Sequence, residues 1–106
     1  MKKSEIVKKY TTLFGKRPTL KVNGTLTSDE LFKLKQENKI NQFLWSLKKE
    51  IFIEYIEKSN ETDDNKFISA KQLIDSFKKN DLMKIYHGYQ FKLNIEDKTY
   101  SLFHDN

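Results

Sequence analysis

Between residues 40 and 56 the apolar side chains leave this chain little choice of structure. Ile40, Phe43, Leu44, Leu47, Ile51 and Tyr55 recur at three- and four-residue intervals and make one stripe of a helix. Trp45, Phe52 and Ile56 make a second stripe. Together they cover more than half the circumference, which is the pattern of a helix packed on two sides. The spacing predicts a central helix over 40–58 that organises the core.

The segments before it are shorter. Ile6, Val7, Tyr10, Leu13 and Phe14 line one face of a helix near 4–14, with Gly15 placed to stop it and Pro18 barring its continuation. Thr19-Leu20-Lys21-Val22, Asn23-Gly24 and Thr25-Leu26 read as a small hairpin with a type I′ turn, although neither face would be cleanly apolar. Thr27-Ser28-Asp29-Glu30 is a capping box and predicts a short helix to about Glu37. Beyond the central helix, residues 59–66 are polar and acidic and predict an exposed loop. Ser69 and Gln72 form a second capping box, with Ile68 and Leu73 as a hydrophobic staple, opening a helix over 70–79.

At the C-terminus the period changes to two. Tyr89, Phe91, Leu93 and Ile95 alternate with Gln90, Lys92 and Asn94, and a turn at Glu96-Asp97-Lys98 would pair Ile95 with Tyr100 and Leu93 with Leu102. Met83–Tyr86 would add a third strand. The expectation is therefore an α+β fold in a single domain spanning 1–106. About four helices surround the central one, packed on a C-terminal antiparallel hairpin or three-stranded meander, with a short N-terminal hairpin at 19–26.

A chain of 106 residues supports one modest core, and with 13% aromatic residues Phe and Tyr must supply much of its volume. No cysteine is present, so thiolate catalysis, disulfides and cysteine metal sites are excluded. No signal peptide or membrane span is expected, and the absence of cysteine suits a cytoplasmic location.

Charge is divided unevenly. Residues 1–49 carry twelve basic side chains against four acidic ones, a surplus of eight, whereas residues 50–106 carry eight against eleven, a deficit of three. This predicts a polarised surface. Lys2, Lys3, Lys8, Lys9, Lys16, Arg17, Lys48 and Lys49 are the candidates for a face that meets an acidic protein or nucleic-acid phosphates. Arg17 is the only arginine, which argues against base-specific DNA reading, since arginine provides the two-pronged grip on guanine. The lysine, asparagine and isoleucine enrichment is also what an AT-rich genome encodes, and lysine doublets commonly serve solubility alone.

Catalytic signals are weak. His87 and His104 have no ligand spacing between them, and the Asp63-Asp64-Asn65 run lacks the order of a calcium loop. Asp75, Asp81 and Glu96-Asp97-Lys98 superficially match the carboxylates and lysine of a small metal-dependent nuclease, but Glu96 and Lys98 fall in the predicted turn rather than on rigid strands. No cofactor and no metal site is expected.

Three functions are weighed. The preferred one is a non-catalytic interaction protein whose Lys-rich face binds a protein or ribonucleoprotein partner. Its general character, with no motif behind it, is that of phage or mobile-element inhibitors of host factors, anti-CRISPR proteins among them. A winged-helix-like DNA binder is the alternative, with Lys71, Gln72, Ser76, Lys78 and Lys79 on a recognition helix and residues 89–103 as the wing. The nuclease comes last.

Overall fold

The computed structural model describes residues 2–94 and 99–104. The helices are α1 (Lys3–Phe14), α2 (Ser28–Lys58), α3 (Asn65–Asp75) and α4 (Lys79–Tyr86), followed by the strands β1 (Tyr89–Asn94) and β2 (Thr99–His104). The predicted turn at Glu96-Asp97-Lys98 lies outside the described residues.

The two helices expected over 27–37 and 40–58 are one. No glycine or proline interrupts residues 28–58, and asparagine in mid-helix is only a few tenths of a kcal/mol worse than its neighbours, roughly, so Asn38 breaks nothing. Thr27 is the N-cap: its Oγ1 accepts from the Glu30 backbone N–H at 3.2 Å and donates to Glu30 Oε1 at 3.0 Å. With 31 residues, α2 is about 46 Å long at ~1.5 Å per residue, and it sets the long axis of a molecule measuring 51 × 34 × 20 Å.

Against its C-terminal half pack the other helices. Tyr10, fully buried on α1, meets Trp45 edge-on at 5.2 Å and Phe52 at 5.6 Å, and Phe14 stacks on Tyr10 at 4.9 Å. From the α3 side Phe67 stacks on Phe52 at 6.1 Å. Leu47, Ile51, Phe52, Ile53, Tyr55 and Ile56 are the buried residues of α2, all in its second half. Phe67, Ala70, Leu73 and Ile74 come from α3, Phe77 from the connection, and Leu82 from α4.

The expected α+β class is overturned. In such a fold the helices bury their stripes against a sheet. Here the described core is drawn from helices and the α3–α4 connection, with α2 taking the central place, and the fold is helical. Met83–Tyr86 is not a third strand but the end of α4, because Leu82, Ile85 and Tyr86 stand at i, i+3 and i+4; Leu82 enters the core and Tyr86 meets Phe43 edge-on at 5.0 Å. The N-terminal hairpin at 19–26 does not form either. Among the described residues no backbone–backbone hydrogen bond involves residues 16–26, as expected when a two-stranded ribbon has no apolar face to bury.

β1 and β2 pair antiparallel with Leu93 opposite Tyr100, Phe91 opposite Leu102 and Tyr89 opposite His104. The predicted register was two residues away from this. A two-residue slip leaves every side chain on its original face, so alternation alone cannot distinguish the two pairings.

The α2–α3 connection also differs from an open loop. α3 begins at Asn65, so Ser69 lies inside it rather than capping it, and Ile68 is 54% exposed and staples nothing. Glu61 is held instead: Oε1 accepts from the Tyr55 hydroxyl at 3.1 Å and Oε2 from the Ser69 hydroxyl at 2.7 Å, tying the connection to both helices. Among the described residues no helix is long and apolar enough to cross a membrane.

Candidate partner-binding face

Gly15 ends α1 with φ +91° while its N–H still reaches Thr11 O at 2.9 Å. That turn directs residues 16–26 back along the N-terminal half of α2. Two hydrogen bonds fix the path: Trp45 Nε1 donates to Gly15 O at 3.0 Å, and Gln42 Nε2 donates to Pro18 O at 2.9 Å. A depression of about 620 Å³ lies between loop and helix, with Lys16, Arg17 and Lys21 on one side and Leu34, Glu37 and Asn38 on the other. A second hollow of about 240 Å³ carries Lys48 beside Phe14 and Trp45. Pro18 and Asn41 line both, so the two are neighbours.

Four cations therefore edge two neighbouring hollows: Lys16, Arg17 and Lys21 in the first and Lys48 in the second. Lys49 lies next to it with Nζ 5.2 Å from the centre of the Trp45 ring, a cation–π contact that keeps the charge available. Lys21 was not among the sequence candidates, because it stands alone rather than in a doublet. Its position one residue from Leu20, in a strand-like stretch after Pro18, was the only signal.

The other candidates are elsewhere. Lys9 points toward α3, where its Nζ lies 5.3 Å from the centre of the Phe67 ring, and it borders a groove of about 310 Å³ shared with Lys71, Asp64 and Asp75. Lys8 is exposed on α1. Lys2 and Lys3 are exposed at the start of α1, about 18 Å along its axis from Gly15 at ~1.5 Å per residue. The eight sequence candidates thus split into a cluster around the loop and outliers along α1.

Among the described residues no ion pair reaches the cluster, although Glu37 lines the same depression. Among the described residues the ion pairs are Lys58–Glu54 at 2.8 Å and Lys71–Asp75 at 2.6 Å, and neither includes Lys2, Lys3, Lys8, Lys9, Lys16, Arg17, Lys48 or Lys49. The hollow beside Lys48 ends on Tyr10, whose hydroxyl donates to Trp45 O at 2.7 Å; burial pushes that hydroxyl above the ordinary phenol range, so it carries no charge there.

The segment proposed as a recognition helix is not one helix. α3 stops at Asp75, Ser76 is its C-cap, and Lys78 is the N-cap of α4, so the chain turns between Gln72 and Lys79. The break follows from Phe77, which must bend back to bury itself. Lys71 is committed to Asp75 and lies 5.4 Å from the Phe14 ring centre. Of the nuclease-like residues, Asp75 is in that same ion pair, and Glu96, Asp97 and Lys98 lie outside the described residues. Comparisons of the chain with protein-family models, with characterised proteins and with solved structures find no match.

Proposed function

We propose that this is a non-catalytic binding protein that uses the cationic N-terminal half to engage an acidic surface of a protein or ribonucleoprotein partner. One observation carries the reading. Lys16, Arg17 and Lys21 line one hollow and Lys48 the hollow next to it, without a carboxylate paired to Lys16, Arg17 or Lys48 among the described residues. Unpaired surface cations of one sign steer oppositely charged partners and contribute to affinity once water is excluded. Blocking a host factor, in the manner of phage and mobile-element inhibitors, is the biological role this binding would serve.

The test is capture of partners from lysate by the wild-type protein and by a variant with Lys16, Arg17, Lys48 and Lys49 changed to Glu. A stoichiometric partner held by the former and released by the latter supports the proposal. Equal capture by both proteins, or no partner, refutes it. Treating the captured material with nuclease separates a protein contact from one made through nucleic acid.

A further inference from the structure

The segment Thr19–Val22 has the composition of a strand and the position of a loop. Leu20 is 39% exposed and Val22 46% exposed, in a segment whose backbone N–H and C=O groups make no backbone–backbone hydrogen bond. Just before it, the Pro18 carbonyl accepts from Gln42 Nε2 and ties the stretch to α2. The nearest candidate for a second strand, Thr25-Leu26, runs directly into the helix cap at Thr27 and does not pair with it. A strand-forming segment anchored at one end and unpaired along its edge is a template for strand addition.

We propose that Thr19–Val22 is completed in trans by an extended acidic peptide segment of a partner protein, which adds to it as a β-strand. This rests on the binding role proposed above and specifies its mode. Charge selects the occupant: Lys16, Arg17 and Lys21 flank the segment, with Glu37 as the one opposing carboxylate in the depression. A second copy of this chain would bring two such cationic segments together and be repelled. An anionic membrane would attract the lysines, but burying this backbone in lipid would leave its N–H groups without acceptors, whereas a strand supplies them. Nucleic acid fits less well, because the exposed groups between the cations are aliphatic and offer no platform for base stacking.

The experiment selects binders from a display library of random ten-residue peptides on the immobilised full chain, then maps the strongest by amide chemical shifts. Enriched peptides should alternate apolar with acidic residues, and their largest shifts should fall on residues 19–22. Proline scanning tests the ladder itself. Successive N–H groups point to opposite edges, so Leu20→Pro and Lys21→Pro should differ, one losing about tenfold or more in affinity and the other little beyond the loss seen in Lys21→Ala. Since this backbone makes no backbone–backbone hydrogen bond among the described residues, both variants should keep the wild-type circular dichroism spectrum. Peptides that lack acidic excess, that map to another face, or that tolerate both prolines equally overturn the proposal. So does self-association that removes the same amides from exchange. If a lysate partner depends on the Lys→Glu changes but not on either proline, the binding role stands and strand addition falls.

Discussion

The two halves of α2 are one continuous helix with opposite surroundings. From Leu47 onward the helix packs against α1 and α3 and holds all six of its buried residues. Before Leu47 none is buried; Phe32 stands 64% exposed, and the neighbour on one side is a loop without secondary structure. Phe43, Leu44 and Trp45 pack partly buried against the core, so it is the turns before Phe43 that depend on intrinsic propensity, the cap and the Gln42 tether, whereas tertiary packing holds the rest. On the proposed reading, most of the binding cations lie beside the exposed half, with Lys48 and Lys49 at the start of the buried half, so most of that face can change without touching the core.

The largest test of that contrast compares two phenylalanines on the same helix. Phe52 is fully buried between Tyr10, Phe14 and Phe67, so Phe52→Ala should destabilise the protein by about 3–5 kcal/mol in urea unfolding. Phe32→Ala should change stability by no more than about 0.5 kcal/mol. Similar losses at both positions would mean that the first half of α2 is covered in solution.

Glycines make the same comparison in the loop. A Cβ at Gly15 or at Gly24 would meet nothing within 4 Å, and both residues have positive φ, +91° and +78°, so any loss is backbone strain alone. Gly15 is fixed on both sides, through its N–H to Thr11 O and through its O to Trp45 Nε1. Gly24 has no backbone hydrogen bond to resist rearrangement. Gly15→Ala should therefore lose about 1–3 kcal/mol and Gly24→Ala less than about 0.5, measured by denaturant titration. Equal losses would show that the 16–26 loop is as firmly set as the end of α1.

Tyr10 links the buried half of α2 to pH. With its pKa raised by burial, the native state keeps the phenolic proton at pH values where the unfolded chain has released it. Its stabilising share is present below the unfolded value of about 10 and declines above it, by at most ~1.4 kcal/mol per pH unit. Tyr10→Phe should lose about 1 kcal/mol at neutral pH through the missing bond to Trp45 O, and should show a shallower alkaline decline. Only this side chain differs between the two proteins, so the difference between the two curves isolates the tyrosine. Parallel curves would contradict the burial assigned to its hydroxyl.

What could be read from the residues follows the same division. The α1 face, its stop at Gly15 and the two-sided packing of residues 47–56 were legible, because dense apolar periodicity leaves few alternatives. The third strand was misread because residues 83–86 offered a window too short to distinguish a helical from an extended period, and tertiary contact of Leu82 decided it; the α+β class fell because the described core is drawn from helices and the α3–α4 connection. Ser69 has the spacing of a cap, yet its hydroxyl is taken by Glu61 across the turn, a contact between residues eight apart that no local pattern encodes. The candidate face was half legible. Doublets pointed to Lys16, Arg17 and Lys48, but grouping them with the solitary Lys21 needed the return path of the loop, and Lys9 and Lys71 turned toward aromatic rings instead.

The smallest expected effect is also the most diagnostic of independence between the halves. Thr27 satisfies the Glu30 N–H at the exposed end of α2, and loss of such a cap commonly lowers helix stability by ~1 kcal/mol. That figure reaches global unfolding only if the capped turns are formed whenever the core is formed. With no buried residue before Leu47, the first turns can open while the core stays closed, and the lost cap then acts on that local equilibrium. Thr27→Ala should accordingly shift the urea midpoint by less than about 0.5 kcal/mol in stability while amide exchange over the first turns of α2 speeds about fivefold and exchange at residues 51–56 is unchanged. A full shift at the midpoint, with uniform acceleration along the helix, would show that the exposed half folds and unfolds with the core, and the separation of binding from stability would then fail.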